Sequence, residues 1–493
     1  MLEKSTEKPI ARLSKSAFIR GLQCEKSLYL DKKRPFLRGK IPELQKAKFK
    51  RGHKIGKLAH NLFPGGINAA PKSPRQFRLA VEKTAEYIKQ GENVIYEAAF
   101  SENGINILLD ILVKDNNAWK AIEVKSSKAI SETYLWDATL QYYVISSAGI
   151  EMSDFQICHV NKDYIKNNEP DVKGYFKFES IIDEIKKRIN VIPEKIKSLY
   201  EVIQLSSSPD IKIGLQCHRP YPCDFINHCW KKVPQDSVLS VFGIDEETRF
   251  ELFHSGISLN NIIEGSIEIP EISKDHIRIL VNGGFHFTKN IDEINNSTNH
   301  VFYKSISINP ALPVYENTSP FDHIGFGFAL SNMDGIITDF LSMPNEDPSE
   351  NYLNELLSNT KDTDQIIVFD KEHEKQVLQN HLKRSDHNNA SINKIIEKMY
   401  CLKTIFYSGV LLWPEMTKNY SPKEILTSLK SVNKVENSQV NSDLHAGQLY
   451  SEQLNNEIIT QGTNIQSLLI DYLHSECINI KHLYNKLIEI YTT

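Results

Sequence analysis

Four cysteines constrain how this chain folds more than any other feature of its sequence. Cys217, Cys223 and Cys229 form a C-x5-C-x5-C run, and Cys24 lies near the other end of the same segment. Four thiolates can hold a metal cluster, which would tie the N-terminal helix to this distant loop. Any fold of residues 1–235 therefore has to bring Cys24 and the cysteine run together.

The spacing of these cysteines bears on which metal they hold. Zinc also takes four cysteines, but zinc sites usually pair two close C-x2–4-C hairpins. One distant cysteine with a widely spaced triplet favours an iron–sulfur cluster over zinc, which stays the alternative. We interpret Cys158, Cys401 and Cys477 as ordinary buried thiols.

Length and composition indicate a folded protein of more than one domain. A chain of 493 residues is too long for one ordinary core, so two or three domains are expected. The sequence contains no run of 18 or more apolar residues, so it predicts no membrane span. Its charged N-terminus does not resemble a secretory signal. Seven cysteines in so long a chain argue against a disulfide scaffold, which favours a cytoplasmic location.

The net charge of −4 hides a strong asymmetry between the ends of the chain. Residues 1–60 contain 17 Lys and Arg against five acids, a net charge of +12, so the remainder carries −16. A basic segment on an acidic body is typical of proteins that bind polyanions. A solvated lysine-rich surface is the alternative. Because the segment contains Cys24 and His53, we favour nucleic acid as the partner.

Two carboxylates and a lysine form a D-x12-E-x-K pattern at Asp110, Glu123 and Lys125. Strand-like segments around them predict a strand, a turn and a second strand, followed by a buried helix. Alternation along the second strand places Glu123 and Lys125 on one side, and the carbonyl of Val124 is a further candidate metal ligand. The pattern predicts a Mg²⁺ or Mn²⁺ site for phosphodiester hydrolysis. Glu97 is expected on the adjoining strand, and an exposed Glu/Lys surface pair is the alternative.

Five neighbouring side chains are candidates to support this chemistry. His53, between glycines on a basic helix, could reach the metal. Arg51, Lys54 and Tyr142 are predicted to line an aromatic and basic channel that follows the phosphates. Gln141 and Tyr142, on the helix after the site, could contact the DNA backbone. Simple packing of that helix is the alternative for these last two.

Together, these motifs resemble the RecB-type iron–sulfur nucleases of the PD-(D/E)XK superfamily, which include CRISPR-associated exonucleases and helicase-linked nucleases. The resemblance covers about residues 13–231 and rests on LSKSAFIRGLQCEKSLYL, RGHKIGKLAHNLFPGG, the D/E/K set, DATLQYY and the cysteine run. It implies a restriction-endonuclease-like core. In that core His53, Asp110 and Glu123 would be the metal ligands, and Lys125 would be the catalytic lysine. It also implies a [4Fe–4S] cluster on the following cysteines: Cys24, Cys217, Cys223 and Cys229. The family's Q-x-x-x-Y tyrosine is replaced by Ile145, which puts in doubt a DNA contact there.

Residues from about 300 onward resemble a DnaQ-like, ribonuclease H-fold domain that an uncharacterised bacterial family fuses to such a nuclease. The landmarks are NPALPVYE, HIGFGFALS, IIVFDKEHEKQVL, LWPEM and YSPKEIL. That fold's first strand should carry Asp-x-Glu, but Lys304 and Ile306 stand at those positions. Asp370 and Glu374 remain near the second motif, and two carboxylates from one place make no two-metal site. We predict an inactive domain that serves as a scaffold or binding surface.

The predicted fold class is α/β, with a restriction-endonuclease-like mixed sheet in residues 1–235. A helical connector at 236–298 and a ribonuclease H-like domain at 299–493 with a helical C-terminus complete the expected organisation. The predicted function is a metal-dependent DNA nuclease, an exonuclease on single strands or duplex ends, with a possible protein partner on the C-terminal domain. The alternative is a non-catalytic, cluster-bearing DNA-binding or assembly protein. Lys304 and Ile306 disfavour a proofreading exonuclease.

Overall fold

The computed structural model of the protein describes residues 13–169, 171–234, 236–265, 267–292, 299–344, 346–416, 421–430, 435–454 and 464–493. The first three cations of the predicted basic segment (Lys4, Lys8 and Arg12) lie outside these ranges, as do residues 431–434 of an Asn/Ser-rich stretch. The chain divides into two compact units, Met1–Lys232 and Val233–Thr493.

Unit 1 combines a mixed sheet with helices. Its helices are α1 (Lys15–Gln23), α2 (Glu25–Lys33), α3 (Glu43–Ala59), α4 (Phe77–Gln90), α5 (Glu132–Ser147), α6 (Val172–Tyr175), α7 (Ile182–Arg188), α8 (Ile192–Gln204) and α9 (Ile226–Cys229). Its strands are β1 (Leu13–Ser14), β2 (Ile67–Asn68), β3 (Val94–Glu102), β4 (Ile105–Asp115), β5 (Ala118–Lys125), β6 (Met152–Val160) and β7 (Phe176–Ser180). Short 3-10 helices cover Pro35–Leu37, His60–Leu62, Pro74–Gln76, Ile189–Val191 and Leu215–Cys217.

The sheet of unit 1 has the order β2-β3-β4-β5-β6-β7, and β1 pairs with β4. The strands from β3 to β5 are antiparallel, whereas β5 and β6 run parallel. Alternation explains β4, because Ile107 and Leu109 are buried while Asp110 projects from the other face. Helix α5 begins after Ser131, whose hydroxyl accepts from the Tyr134 amide, and packs on the sheet.

Unit 2 is a second mixed α/β unit. Its helices are α10 (Glu246–His254), α11 (Leu259–Ile263), α12 (Glu271–Asn282), α13 (Ser349–Asn359), α14 (Lys371–Leu382), α15 (Asn389–Lys398), α16 (Leu402–Tyr407), α17 (Pro422–Ser428), α18 (Asp443–Leu454) and α19 (Ile465–Thr492). Its strands are β8 (His286–Phe287), β9 (His300–Ile308), β10 (Ile324–Ser331), β11 (Ile337–Leu341), β12 (Gln365–Val368), β13 (Met399–Cys401) and β14 (Leu411–Leu412). A 3-10 helix covers Val238–Ser240.

The main sheet of unit 2 has the order β11-β10-β9-β12-β13 and is covered by helices on both faces. On one face Phe302 and Ile306 join a core that includes α19, and on the other Tyr303 packs with α13 and α14. The predicted α/β class is therefore confirmed in both units. No helix in the described ranges is long and apolar enough to cross a membrane.

The described part of segment 236–298, the predicted connector, groups with unit 2 by its contacts. Strand β8 pairs with β14. The imidazole of the buried His276 accepts from the Phe242 amide at 3.0 Å and lies 3.1 Å from the Trp413 carbonyl oxygen. These contacts attach the segment to residues 411–413 of unit 2, while its own apolar side chains form a small separate core. The predicted organisation into three domains stays a prediction.

Candidate active site and cysteine-lined cavity

Three carboxylates lie side by side across the central strands of unit 1. The β3–β4 pairs on either side of Glu97 and Asp110 place these two residues across from each other. Asp110 and Glu123 lie one position beyond the last β4–β5 pair, Ile111 and Ile122. Residues opposite each other on neighbouring strands project from the same face of the sheet. Glu97 has a φ of +52°, an uncommon conformation for a residue with a side chain. The sheet thus brings Glu97 to the predicted pair.

Two ammonium groups neutralise the buried end of this row. Lys15 Nζ donates to Glu123 Oε1 at 2.7 Å, and Lys125 Nζ donates to the same oxygen at 2.8 Å. Lys125 also donates to Asp137 Oδ2 at 2.7 Å, and Lys15 Nζ lies 3.8 Å from that oxygen. The Val124 amide donates to Asp110 Oδ2 at 2.6 Å. The arrangement is a compact network of alternating charge.

The network shifts the pKa values of its members in opposite directions. Burial and the negative charge of Glu123 raise the pKa of Asp110 to about 7. Burial opposes ionisation of Glu123, but Lys125 and Lys15 outweigh it and lower its pKa to about 2. Burial also opposes the charge of Lys125, yet Asp137 and Glu123 raise its pKa well above the usual value. Lys125 therefore carries its proton at neutral pH.

Four buried polar atoms around this network have no hydrogen-bond partner among the described residues. They are Glu123 Oε2, Asp137 Oδ1 and both amide atoms of Gln141. Gln141 is fully buried and lies one helical turn after Asp137 on α5. Unsatisfied buried oxygens are costly, so a further group is expected to engage them. Carboxylate oxygens are the ligands that Mg²⁺ and Mn²⁺ prefer, so the chemistry of these donors suits such an ion. As they stand, the described side chains are not grouped closely enough to hold one.

The remaining predicted site residues differ in their placement. His53 is exposed on α3, and its charge acts on Glu97, whose pKa is raised mainly by burial and by Glu123. Arg51 is partly buried, which lowers its pKa, whereas Lys54 is exposed. Tyr142 packs against the apolar core. The burial of Gln141 and the packing of Tyr142 agree with the alternative of helix packing and give no support to a contact with the DNA backbone.

The four predicted cluster cysteines line one cavity. Cys24, Cys217, Cys223 and Cys229 share it with apolar side chains that include Phe225. Burial raises the pKa of Cys24 and Cys229, so metal binding there has to displace thiol protons. Soft sulfur donors are the ligands that iron–sulfur clusters and zinc take. Within the described ranges, no three His, Cys, Asp or Glu side chains are grouped closely enough to hold a single metal ion.

Helix α1 connects the cavity to the carboxylates. It ends immediately before Cys24, and its first residue is Lys15. Gln23 Nε2 donates to the carbonyl oxygens of Gln216 and Tyr221, both at 2.8 Å. The cysteine loop is thereby attached to the helix that presents a cation to Glu123.

The positions that would carry metal ligands in unit 2 are closed by internal contacts. Lys304 Nζ pairs with Asp443 Oδ2 at 2.8 Å, and Ile306 is buried in the core. Asp370 caps α14 and accepts from Lys403 at 2.6 Å. Glu374 is buried, and its two oxygens accept from the hydroxyl and amide of Ser305. That the domain is inactive stays a prediction.

Lys15 and Asp137 belong to the site, although the sequence pattern did not single them out. Both lie within motifs that carry the resemblance, LSKSAF and DATLQYY, and this was the available signal. The helical cap at Ser14 also marks the start of α1 next to Lys15. No local pattern could show that these residues meet Glu123.

Comparison with known proteins identifies one part of unit 2. A family described as a domain of unknown function (DUF2779) matches residues 302–421. No curated protein matches the chain. The match covers less than half of the chain and lies within unit 2.

Proposed function

We propose that this protein is a metal-dependent nuclease that hydrolyses phosphodiester bonds in DNA, with the reaction centre in unit 1. The observation that carries the proposal is the row of Glu97, Asp110 and Glu123 beside the ammonium groups of Lys15 and Lys125. A surface Glu/Lys pair has no need for a buried set of this kind.

The residues have distinct roles in this proposal. Asp110 and Glu123 would hold Mg²⁺ or Mn²⁺, which supplies a polarised phosphate and an activated water when bound. Lys125 keeps its proton because Asp137 and Glu123 raise its pKa, so it donates to the phosphate and stabilises the developing charge. Asp137 orients Lys125 through the 2.7 Å contact. His53 is a further candidate metal ligand, and the Val124 carbonyl another.

The cysteine-lined cavity supports a structural role for a second group in the same unit. We propose an iron–sulfur cluster there, with zinc as the alternative, held by the following thiolates: Cys24, Cys217, Cys223 and Cys229. The cavity joins two segments that are distant in sequence, so its occupant would fix α1 and Lys15 in place. A protein partner on unit 2 and a cytoplasmic location are further expectations.

The test is cleavage of end-labelled single- and double-stranded DNA with Mn²⁺ or Mg²⁺ by anaerobically purified protein. Lys125→Ala is expected to abolish cleavage while DNA binding persists, and Asp110→Ala to abolish metal-dependent cutting. Lys120→Ala is the matched control, because Lys120 lies on the same strand and pairs with Asp115 instead. Cleavage that survives Lys125→Ala would count against the proposal. A cluster-loaded protein that binds but never cuts DNA would favour the non-catalytic binding or assembly role.

A further inference from the structure

One exposed segment of unit 1 combines positive charge with unburied aromatic rings. We call residues 34–50 the basic arm; it contains the Pro35–Leu37 turn and the first half of α3. Its sequence, RPFLRGKIPELQKAKFK, has six Lys and Arg against one Glu. Lys40, Lys48 and Lys50 form no ion pair within the ranges that the structure describes. The arm therefore presents uncompensated positive charge to solvent.

The arm also exposes apolar side chains that a folded surface would normally cover. Phe36 is 79% exposed and Phe49 is 59% exposed, and Ile41 and Leu44 are exposed as well. Of the ten large apolar side chains that the described part of unit 1 exposes, four lie in this arm. Apolar exposure concentrated in so short a segment indicates a binding surface rather than scattered surface residues.

The arm is anchored at both ends to the two candidate centres. At one end the Gly39 amide donates to the Asp224 carbonyl oxygen at 2.8 Å, beside Cys223, and Arg38 pairs with Asp31. At the other end α3 continues into its buried residue Ile55 and packs against β5, the strand of Glu123 and Lys125. The arm thus leads from the cysteine loop to the carboxylates.

Phe49 lies on the helix that connects the arm to the reaction centre. It lies four residues before His53 on α3, so the two side chains share one helix face with Cβ atoms about 5–6 Å apart. The helix that carries both residues packs against β5, the strand of Glu123 and Lys125. A group stacked on Phe49 would therefore lie one helical turn from His53, a candidate metal ligand.

We propose that the basic arm is a docking track for single-stranded DNA, on which bases stack against Phe36 and Phe49 while the lysines follow the phosphates. This inference rests on the proposed function and assigns its substrate class. Exposed aromatic rings interleaved with cations are what a single strand needs, because its bases are unpaired and each has a face to stack. Duplex DNA hides those faces. Positive charge attracts an anionic membrane as well. The place of Phe49 on the helix that packs against β5 favours a nucleic acid, the substrate of the proposed reaction.

The experiment measures binding of a fluorescent oligo-dT and of a duplex hairpin to the full chain in EDTA, so that cleavage plays no part. Phe36→Ala/Phe49→Ala is expected to weaken single-strand binding by roughly tenfold or more and to leave duplex binding unchanged. Phe36→Trp/Phe49→Trp should restore it, since tryptophan stacks at least as well. Phe36→Leu/Phe49→Leu should not, because it keeps apolar surface but loses the ring. Leu79→Ala is the control, since Leu79 is 50% exposed outside the arm.

Salt dependence separates stacking from charge. The phenylalanine variants should leave the slope of log K against log salt unchanged, whereas Lys48→Ala/Lys50→Ala should reduce it by about 1.4 for a single strand. Unchanged oligo-dT binding by Phe36→Ala/Phe49→Ala would overturn the proposal. Restoration of oligo-dT binding by leucine as well as by tryptophan would also overturn it. So would a dependence on the phenylalanines that is found only for binding to anionic phosphatidylserine vesicles and not for binding to oligo-dT.

The proposed function can fail independently of this inference. Absence of cleavage with intact, phenylalanine-dependent oligo-dT binding would reject the nuclease and retain the track. Cleavage that is lost in Asp110→Ala, together with oligo-dT binding that does not depend on the phenylalanines, would retain the nuclease and reject the track. The circular dichroism spectra of the Phe36 and Phe49 variants should match that of the unaltered protein, since neither ring is part of a core.

Discussion

The ammonium group of Lys15 donates to the carboxylate of Glu123 at 2.7 Å, across 108 residues of sequence. Helix α1 starts at Lys15 because Ser14 caps it, and β1 holds that start beside β4. The N-terminal helix therefore completes the charge balance of a site whose other residues lie on the central sheet. Without Lys15, one ammonium group would have to serve both Glu123 and Asp137.

Lys15→Met should weaken both stability and cleavage. The ion pair is mostly buried, so its loss is expected to cost more than the about 1 kcal/mol of an exposed pair and less than the about 3–5 kcal/mol of a fully buried one. Lys125 would then be drawn more strongly to the two carboxylates and away from the phosphate. Urea unfolding with and without Mn²⁺ measures the loss of stability, and we expect a smaller loss when Mn²⁺ is present. Lys120→Met is the control, and equal stability of both variants would contradict the prediction.

Local patterns were sufficient to predict the strands and helix that carry the site. Alternation in β4 and β5 placed Asp110, Glu123 and Lys125, and the structure brings these three together. The role of Lys15 could not be predicted in this way, because its contact depends on how β1 pairs with β4. Burial of Gln141 also follows from tertiary packing, since the apolar character of α5 does not distinguish its faces.

Cys24→Ser should deplete the occupant of the cysteine-lined cavity. With three thiolates left, the cavity loses one of its four donors, so the content of iron and labile sulfide, or of zinc, should fall in protein purified anaerobically. Elemental and sulfide analysis decide between the two chemistries. Cys401→Ser is the control, because that thiol lies in unit 2 and donates to the Phe369 carbonyl oxygen. Equal metal content in all three proteins would refute a cluster on Cys24.

The boundary of unit 2 shows where sequence reasoning ends. The sequence of 236–298 predicts a helical connector. Its attachment depends on the pairing of β8 with β14 and on the contact between His276 and the Trp413 carbonyl oxygen. Both partners lie more than a hundred residues further along the chain, and two-residue strands leave no periodic signal.

Glu374→Gln should remove a pH dependence from the stability of unit 2. Burial raises the pKa of Glu374 to about 7, with the nearby charge of Lys304 opposing the shift. Between about pH 4.5 and pH 7 the folded protein holds a proton on Glu374 that the unfolded chain releases. The contribution of Glu374 to the free energy of unfolding therefore falls as pH rises through this range and is constant above pH 7. Across that pH range, the free energy of unfolding of the variant should rise by up to about 3 kcal/mol relative to that of the unaltered protein.

Thermal unfolding of the full chain at several pH values measures this difference. Glu372→Gln is the matched control, because Glu372 lies on the same helix and is exposed. DNA cleavage should be unchanged in both variants, since the oxygens of Glu374 are engaged by Ser305. A loss of cleavage in Glu374→Gln alone would show that unit 2 takes part in catalysis.

Gly52→Ala and Gly56→Ala should each stabilise α3. Both glycines lie inside this helix, and a Cβ added at either would meet no atom within 4 Å. Alanine in place of glycine gains about 0.5–1 kcal/mol in a helix interior. Amide exchange through local opening of α3 should therefore slow by roughly 2–5-fold, measured by hydrogen exchange. Gly91→Ala should act in the opposite sense, because Gly91 ends α4 with a φ of +84° that alanine adopts only with strain. Faster exchange in the α3 variants would mean that the two glycines are required by a conformation of α3 other than a regular helix.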